Sequence, residues 1–239
     1  LSDQIKSRKK SKIVFELRYP AQPWIFDNRG ALIEKIKEKF PALEHWELRN
    51  NDIIMSDKLE KPKCQAVVTL KRASFIEEEN PDLEKTIENA LDYFSILFEG
   101  NQLPSELTRT ACRLISVHEV FVERRKAKSK EHIRQIIMEK YLANPFPVEI
   151  DIPLNDFKLT LTHDNGFYYF GPVIKGERWI KDFFNEPDKH MPDQGIGIDI
   201  DSFAKESEVL DFKVLDSLLR NVFALTTQIE LQIINSTNG

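Results

Sequence analysis

Apolar and polar residues alternate or recur along this chain in a way that predicts most of its elements. Residues 13–19 place Phe15, Leu17 and Tyr19 against Glu16 and Arg18, the period of a half-buried strand. Pro20 and Pro23 close that strand. Asp27 or Asn28 can cap a helix whose Leu32, Ile33, Ile36 and Phe40 share one face. The short apolar runs at residues 46–48 and 53–55 flank Arg49-Asn50-Asn51-Asp52, which reads as a hairpin turn. Residues 65–75 read as one strand with a bend. Asn80-Pro81 opens a helix, with Leu83, Ile87, Ala90, Leu91, Phe94, Leu97 and Phe98 as its buried stripe, and Gly100 stops it.

After a polar connection at residues 101–110 the order begins again. Residues 113–122 predict a strand, and Ser129 caps a helix carrying Ile133, Ile136, Ile137 and Tyr141. Residues 148–152 predict a short strand. Residues 157–163 and 167–174 form a hairpin about Asp164-Asn165-Gly166. An irregular aromatic segment, residues 175–193, leads to the alternating run Gly195-Ile196-Gly197-Ile198-Asp199-Ile200-Asp201. An acidic link at 204–211 follows, then a helix from Phe212 with Leu215, Leu218, Leu219, Val222 and Phe223 on one face.

Both parts read strand, helix, antiparallel strands, long helix, and Ser-Phe precedes an acidic link in each, at Ser74-Phe75 and Ser202-Phe203. The fold class is therefore α+β, a duplicated unit forming a curved antiparallel sheet with helices on one face. The expected divisions are a basic tail at 1–11, a first half at 12–100, the connection at 101–110, a second half at 111–234 and a frayed end at 235–239.

Composition narrows the partners. Of 239 residues, 41% are hydrophobic and 31% charged, the balance of a globular chain. No apolar run reaches bilayer length and residues 1–12 lack a signal-peptide core, so the expected setting is the cytoplasm, with no membrane. A formal net charge of −5 argues against nucleic acid. Its two basic clusters, at residues 6–12 and at Arg124, Arg125, Lys126, Lys128 and Lys130, read as solvated segments.

Little in the sequence carries chemistry. Cys64 and Cys112 stand alone, and the five histidines show no ligand spacing. There is no nucleophile elbow and no phosphate-cradling glycine loop, so no cofactor is expected. Two carboxylate pairs, Glu149/Asp151 and Asp199/Asp201, have the i, i+2 spacing that could hold a metal. The isoleucines between them point the acids toward water, the surface reading we favour. The run Phe167-Tyr168-Tyr169-Phe170 puts aromatics on both faces of a strand, beside Trp179, Phe183 and Phe184. Both faces then need a cover: a helix on one, and the neighbouring loop or a partner on the other. Tyr168, Phe170, Trp179, Phe183 and Phe184 are the candidate binding residues.

The strand Val14-Phe15-Glu16-Leu17-Arg18-Tyr19 runs through Trp24 into a helix ending Phe40-Pro41, and Ile198-Asp199-Ile200-Asp201-Ser202-Phe203 precedes a helix with Asn221-Val222-Phe223. In these features the chain resembles a broad family of uncharacterised prokaryotic proteins of about this size. Where that family carries an Arg-x-x-Asn-like signature, this chain has Arg113-Leu114-Ile115-Ser116. The resemblance supplies no catalytic residues. The element order also resembles a TATA-binding-protein-like or helix-grip fold, which carries no function by itself. The expected function is a non-enzymatic binding or regulatory protein with a protein partner or a second copy of itself. The alternatives are a small-ligand pocket between sheet and long helix or, last, a metal enzyme using Asp199 and Asp201.

Overall fold

The computed structural model describes residues 8–49, 52–79, 82–98, 104, 106–122, 125–127, 129–141, 158–208 and 211–237. Among them the chain is α+β. The strands are β1 (Arg8–Arg18), β2 (His45–Arg49), β3 (Asp52–Ser56), β4 (Cys64–Thr69), β5 (Arg72–Glu78), β6 (Glu106–His118), β7 (Phe121–Val122), β8 (Arg125–Lys126), β9 (Leu159–His163), β10 (Gly166–Ile174) and β11 (Gln194–Glu208). The helices are α1 (Trp24–Asp27), α2 (Arg29–Lys39), α3 (Leu83–Leu97), α4 (Lys130–Tyr141), α5 (Arg178–Phe183) and α6 (Phe212–Thr237). Nine strands make an antiparallel sheet in the order β2-β3-β4-β5-β1-β6-β11-β10-β9, and β7 pairs with β8 apart from it.

Two compact units are present, and each is made of separated stretches of the chain. One comprises residues 12–113 and 201–226; the other comprises the described parts of residues 1–11, 114–200 and 227–239. The reason is that β1, β6, β11 and α6 are long enough to contribute residues to both.

In the first unit, two apolar rows cross the sheet. Phe15 stands opposite Phe75, Phe75 opposite Ala66, Ala66 opposite Met55, and Met55 opposite Trp46. The neighbouring row is Leu17, Ala73, Val68, Ile53 and Leu48. Directly opposed residues share a face, so both rows look the same way. That face packs under helices: Phe75 meets Tyr93 of α3 at 5.8 Å between ring centroids, and Phe15 meets Phe223 of α6 at 5.9 Å. Tyr93 is wholly buried and satisfies its hydroxyl by donating to the Val67 carbonyl at 2.7 Å.

Residues 65–75 are not one strand. β4 and β5 form a hairpin in which Val68 faces Ala73. Buried apolar positions are even in β4 (Ala66, Val68) and odd in β5 (Ala73, Phe75), so the apolar alternation slips by one across Leu70-Lys71. Helix α3 is capped by Asp82, whose carboxylate accepts from Lys85 N at 3.1 Å; Asn80 and Pro81 lie outside the described residues.

In the second unit the sheet is covered on both faces. Ser116 and His118 of β6 meet Glu230 of α6, while the alternate residues Ile115 and Val117 join Val173, Ile180, Phe184 and Met191 in an apolar cluster. Alternation places these two sets on opposite faces. The long helix α6 covers one face, and α5 with its flanking segment covers the other. The expectation of helices on one face therefore does not describe this unit. Ser129 caps α4 through His132 N at 3.1 Å, as its position suggests. The β9–β10 turn falls on Asp164-Asn165, with Gly166 already paired to His163.

Parts of the expected tail, connection and acidic link are regular structure. Arg8–Ser11 belong to β1, and residues 106–110 belong to β6, where Leu107 and Thr110 are fully buried. Residues 204–208 of the acidic link extend β11. At the far end α6 continues through Thr237, because Ile233, Ile234 and Thr237 carry its buried stripe onward. The predicted strand at 148–152, with Glu149 and Asp151, lies outside the described residues.

Candidate functional site

The apolar rows of the first unit end on β2, a terminal strand of the sheet. Met55 and Ile53 are buried, yet their directly opposed neighbours Trp46 and Leu48 remain 52% and 46% exposed. The helical cover stops one strand short of the edge. Completing the burial of two such side chains would contribute about 1 kcal/mol or more each. On the other face of β2, Glu47 and Arg49 are two residues apart and 2.6 Å from each other. The hydrogen bond from Arg49 holds the Glu47 carboxyl below its usual value, and the same bond raises Arg49. Among the described strands β2 pairs only with β3, so its outer backbone edge carries no strand.

The five aromatic candidates do not form one surface. Tyr168 and Phe170 share the face that α4 covers, where Tyr141 meets Phe170 edge-on at 4.9 Å. Trp179, Phe183 and Phe184 lie on the opposite face. Trp179 stacks on Tyr169 at 6.3 Å and packs edge-to-face with Phe183 at 5.1 Å. Phe170 and Phe184 are buried, and Trp179 and Phe183 pack against the cluster around Ile180. The cover that this strand needs is the chain's own segment at residues 175–193. Gly197 is part of that closure: a Cβ there would stand 2.8 Å from Val173 Cγ1 and 3.0 Å from Trp179 Cζ3.

The carboxylates of β11 are not on a wet surface. Asp199 is 5% exposed and Asp201 is 8% exposed. Asp201 does face away from the helices, but Arg109 of β6 lies over it with Nη2 2.7 and 2.6 Å from the two carboxylate oxygens. The guanidinium also stacks on Phe203 at 4.5 Å, and Glu16 stands 3.8 Å from its Nε. An ion pair roofed by an aromatic ring buries the acid on a helix-free face. Arg109 thus supplies the positive charge that a metal ion would have brought. Among the described residues no group of three His, Cys, Asp or Glu side chains could hold a metal.

A second ionic network lies in the other unit, and nothing in the strand patterns announces it. Glu230 sits on the buried face of α6, only 1% exposed. His118 Nε2 is 2.9 Å from Glu230 Oε1, and Arg8 of β1 donates from Nε at 3.2 Å and from Nη2. Burial pushes the Glu230 carboxyl up, but the hydrogen bond and charge of His118 and the charge of Arg8 outweigh it and bring it down to about 2. Ser116 Oγ is 3.2 Å from the same His118 Nε2. Serine, histidine and glutamate side by side suggest a nucleophilic triad, but the geometry denies it. Both contacts use one ring nitrogen, whereas a triad needs the acid on the other, and Ser116 is fully buried.

Arg8 and Lys10 of the basic segment are likewise spent on contacts within the protein. Lys10 donates to the carbonyls of Glu186 and Lys189, the latter at 3.2 Å, with Phe184 beneath it at 5.4 Å. The helix position of Glu230 was legible, since it follows Thr226 by four residues and precedes Ile233 by three. Both cysteines are free thiols; burial raises both, Cys64 to about 12 and Cys112 further. Among the described residues no helix is long and apolar enough to cross a membrane. No protein-family model matches the chain, and no curated protein is significantly similar to it.

Proposed function

We propose that this chain is a non-enzymatic binding or regulatory protein that works through protein–protein contacts made at the β2 edge. The observation that carries the reading is the course of the two apolar rows. They are buried from β1 to β3 and reach the surface at Trp46 and Leu48. A strand that presents unpaired backbone groups beside half-exposed apolar side chains is the substrate of strand addition, in which main-chain bonds give affinity and side-chain pockets give specificity. The non-enzymatic part draws on the buried acids: Asp201 is paired with Arg109, and Glu230 is paired with Arg8 and hydrogen-bonded to His118.

The test is photocrosslinking in cells of the source organism. A benzophenone amino acid at position 46 is expected to give a discrete protein adduct. The same group at the exposed Leu59 position, in the β3–β4 connection, is expected to give none. Equal labelling at both positions, or none at 46, refutes the reading.

A small-ligand protein is the second reading, drawn from Thr110 and Ser202. Both hydroxyls are buried without a hydrogen-bond partner. Alternation puts them on the face opposite Arg109 and Asp201, the side where Thr226 of α6 donates to the Cys112 carbonyl at 3.3 Å. Native mass spectrometry decides it: a small molecule retained by the folded chain supports this reading, and a bare chain mass removes it.

The proposal extends to a duplicated plan with a curved sheet, a cytoplasmic setting and the prokaryotic family resemblance. With the short elements α1, β7, β8 and α5 set aside, the succession β1-α2-β2-β3-β4-β5-α3, followed by β6-α4-β9-β10-β11-α6, supports the duplication. Two free thiols accord with a reducing compartment. The family resemblance rests on the residues at 14–19 and 198–203.

A further inference from the structure

We infer that the occupant of the β2 edge is a second copy of this chain, paired antiparallel to it about a two-fold axis through Leu48. This rests on the reading of β2 as a contact edge and names the partner. The argument is the order of side chains in His45-Trp46-Glu47-Leu48-Arg49. In a two-fold antiparallel pairing centred on Leu48, Leu48 of one copy lies opposite Leu48 of the other. Glu47 then lies opposite the other copy's Arg49, and Arg49 opposite its Glu47. Two intermolecular ion pairs form on one face. On the other, the two Leu48 side chains meet, with each Trp46 diagonal to the Leu48 across the axis, so the exposed ends of both apolar rows close over one another.

The competing register, centred on Glu47, sets Glu47 against Glu47 and His45 against Arg49, which opposes it. The charges therefore select one register and reject the next. A strand guarded against association would carry charge of a single sign. Here the signs are opposite, two residues apart, and complementary to themselves under two-fold symmetry. In the monomer Glu47 and Arg49 are exposed and pair only with each other, and that pair exchanges for two equivalent pairs across the axis.

The test is sedimentation of the full chain up to about 1 mM, near the weak limit of specific association. The wild-type chain is expected to form a dimer. Glu47→Arg sets arginines against arginines and Arg49→Glu sets glutamates against glutamates. Each is expected to weaken association by about tenfold or more. A 1:1 mixture of the two variants restores both ion pairs, so it is expected to dimerise like the wild type, and the double swap E47R/R49E to dimerise alone. Both positions are exposed, and circular dichroism confirms that the variants fold.

A monomer at about 1 mM overturns the inference. So do single swaps that associate like the wild type, or a mixture no better than its components. The photocrosslink at position 46 separates the two claims. An adduct containing this chain supports both. An adduct with a different protein alone overturns the self-pairing and leaves the binding function standing, and no adduct removes both.

Discussion

Replacing Glu230 by glutamine keeps the shape of the side chain and removes its charge, which makes it the sharpest probe of the buried network. The carboxylate is enclosed by His118 at 2.9 Å and by Arg8, with Nε at 3.2 Å. Its pKa is held at about 2 against an ordinary 4.5, and that gap corresponds to about 3 kcal/mol in favour of the folded, ionised form. Breaking a buried pair by removing one partner costs about 3–5 kcal/mol, so the two routes agree. The sign of the pH effect follows from the depressed value. The contribution is complete above pH 4.5, where the unfolded carboxyl is ionised, and is lost as pH falls toward about 2. Urea unfolding of the wild type and Glu230→Gln is the assay. The difference between them is expected to be about 3 kcal/mol at pH 7 and to shrink to about 1 kcal/mol near pH 3. A difference under about 1 kcal/mol at pH 7, or one that persists undiminished at pH 3, would show that Glu230 does not hold this network through its charge.

Two other perturbations read the packing around β11 and the state of a thiol. Gly197→Ala brings a Cβ to 2.8 Å from Val173 Cγ1 and is expected to cost about 1–3 kcal/mol, with Val173→Ala relieving part of that cost in a double-mutant cycle. Gly195→Ala meets the His118 carbonyl oxygen at 2.4 Å, a backbone atom that no truncation removes, so it is expected to be the worse of the two in urea unfolding. Equal costs, or no coupling between positions 197 and 173, count against this packing. Cys64 is only half-buried, but its pKa is raised to about 12 by burial and by the negative charges of Glu77 and Asp57. Iodoacetamide at pH 8 is expected to label it about a thousandfold more slowly in the folded chain than in urea, and a ratio under about ten would refute the environment described.

The local half of this fold is written in the chain, and the non-local half is not. Period-two alternation marks β1, β9 and the start of β11, and the helical stripes mark α2, α3, α4 and α6, because each signal lies within a few neighbouring residues. The break between β4 and β5 is there as well, in apolar positions that change parity between Val68 and Ala73, although no glycine or proline marks it. Strand order is a different kind of information. β1 sits between β5 and β6, and this leaves β2 at an edge. A hairpin's own residues cannot say whether its outer strand has another neighbour. Trp46 and Leu48 therefore look like ordinary core positions until the order is known.

The acids of β11 fail as a sequence reading for a related reason. Alternation correctly turned Asp201 away from the face that carries the helices, and the inference from that face to water was the faulty step. A sheet face without a helix becomes dry when long side chains close over it, and Arg109 does so from a strand 92 residues away in sequence, with Phe203 against its guanidinium. The aromatic segment is the converse case. Tyr168 and Tyr169 on opposite faces of β10 require two covers, and the sequence leaves open whether the second is the neighbouring loop or a partner. Residues 175–193 carry little helical periodicity beyond the six residues of α5, so their role as a lid shows only when Trp179 is seen above Gly197 and Ile180 among Ile115, Val117 and Val173. Once that lid accounts for the aromatic strand, the partner contact we propose rests instead on the β2 edge, where the apolar rows reach the surface at Trp46 and Leu48.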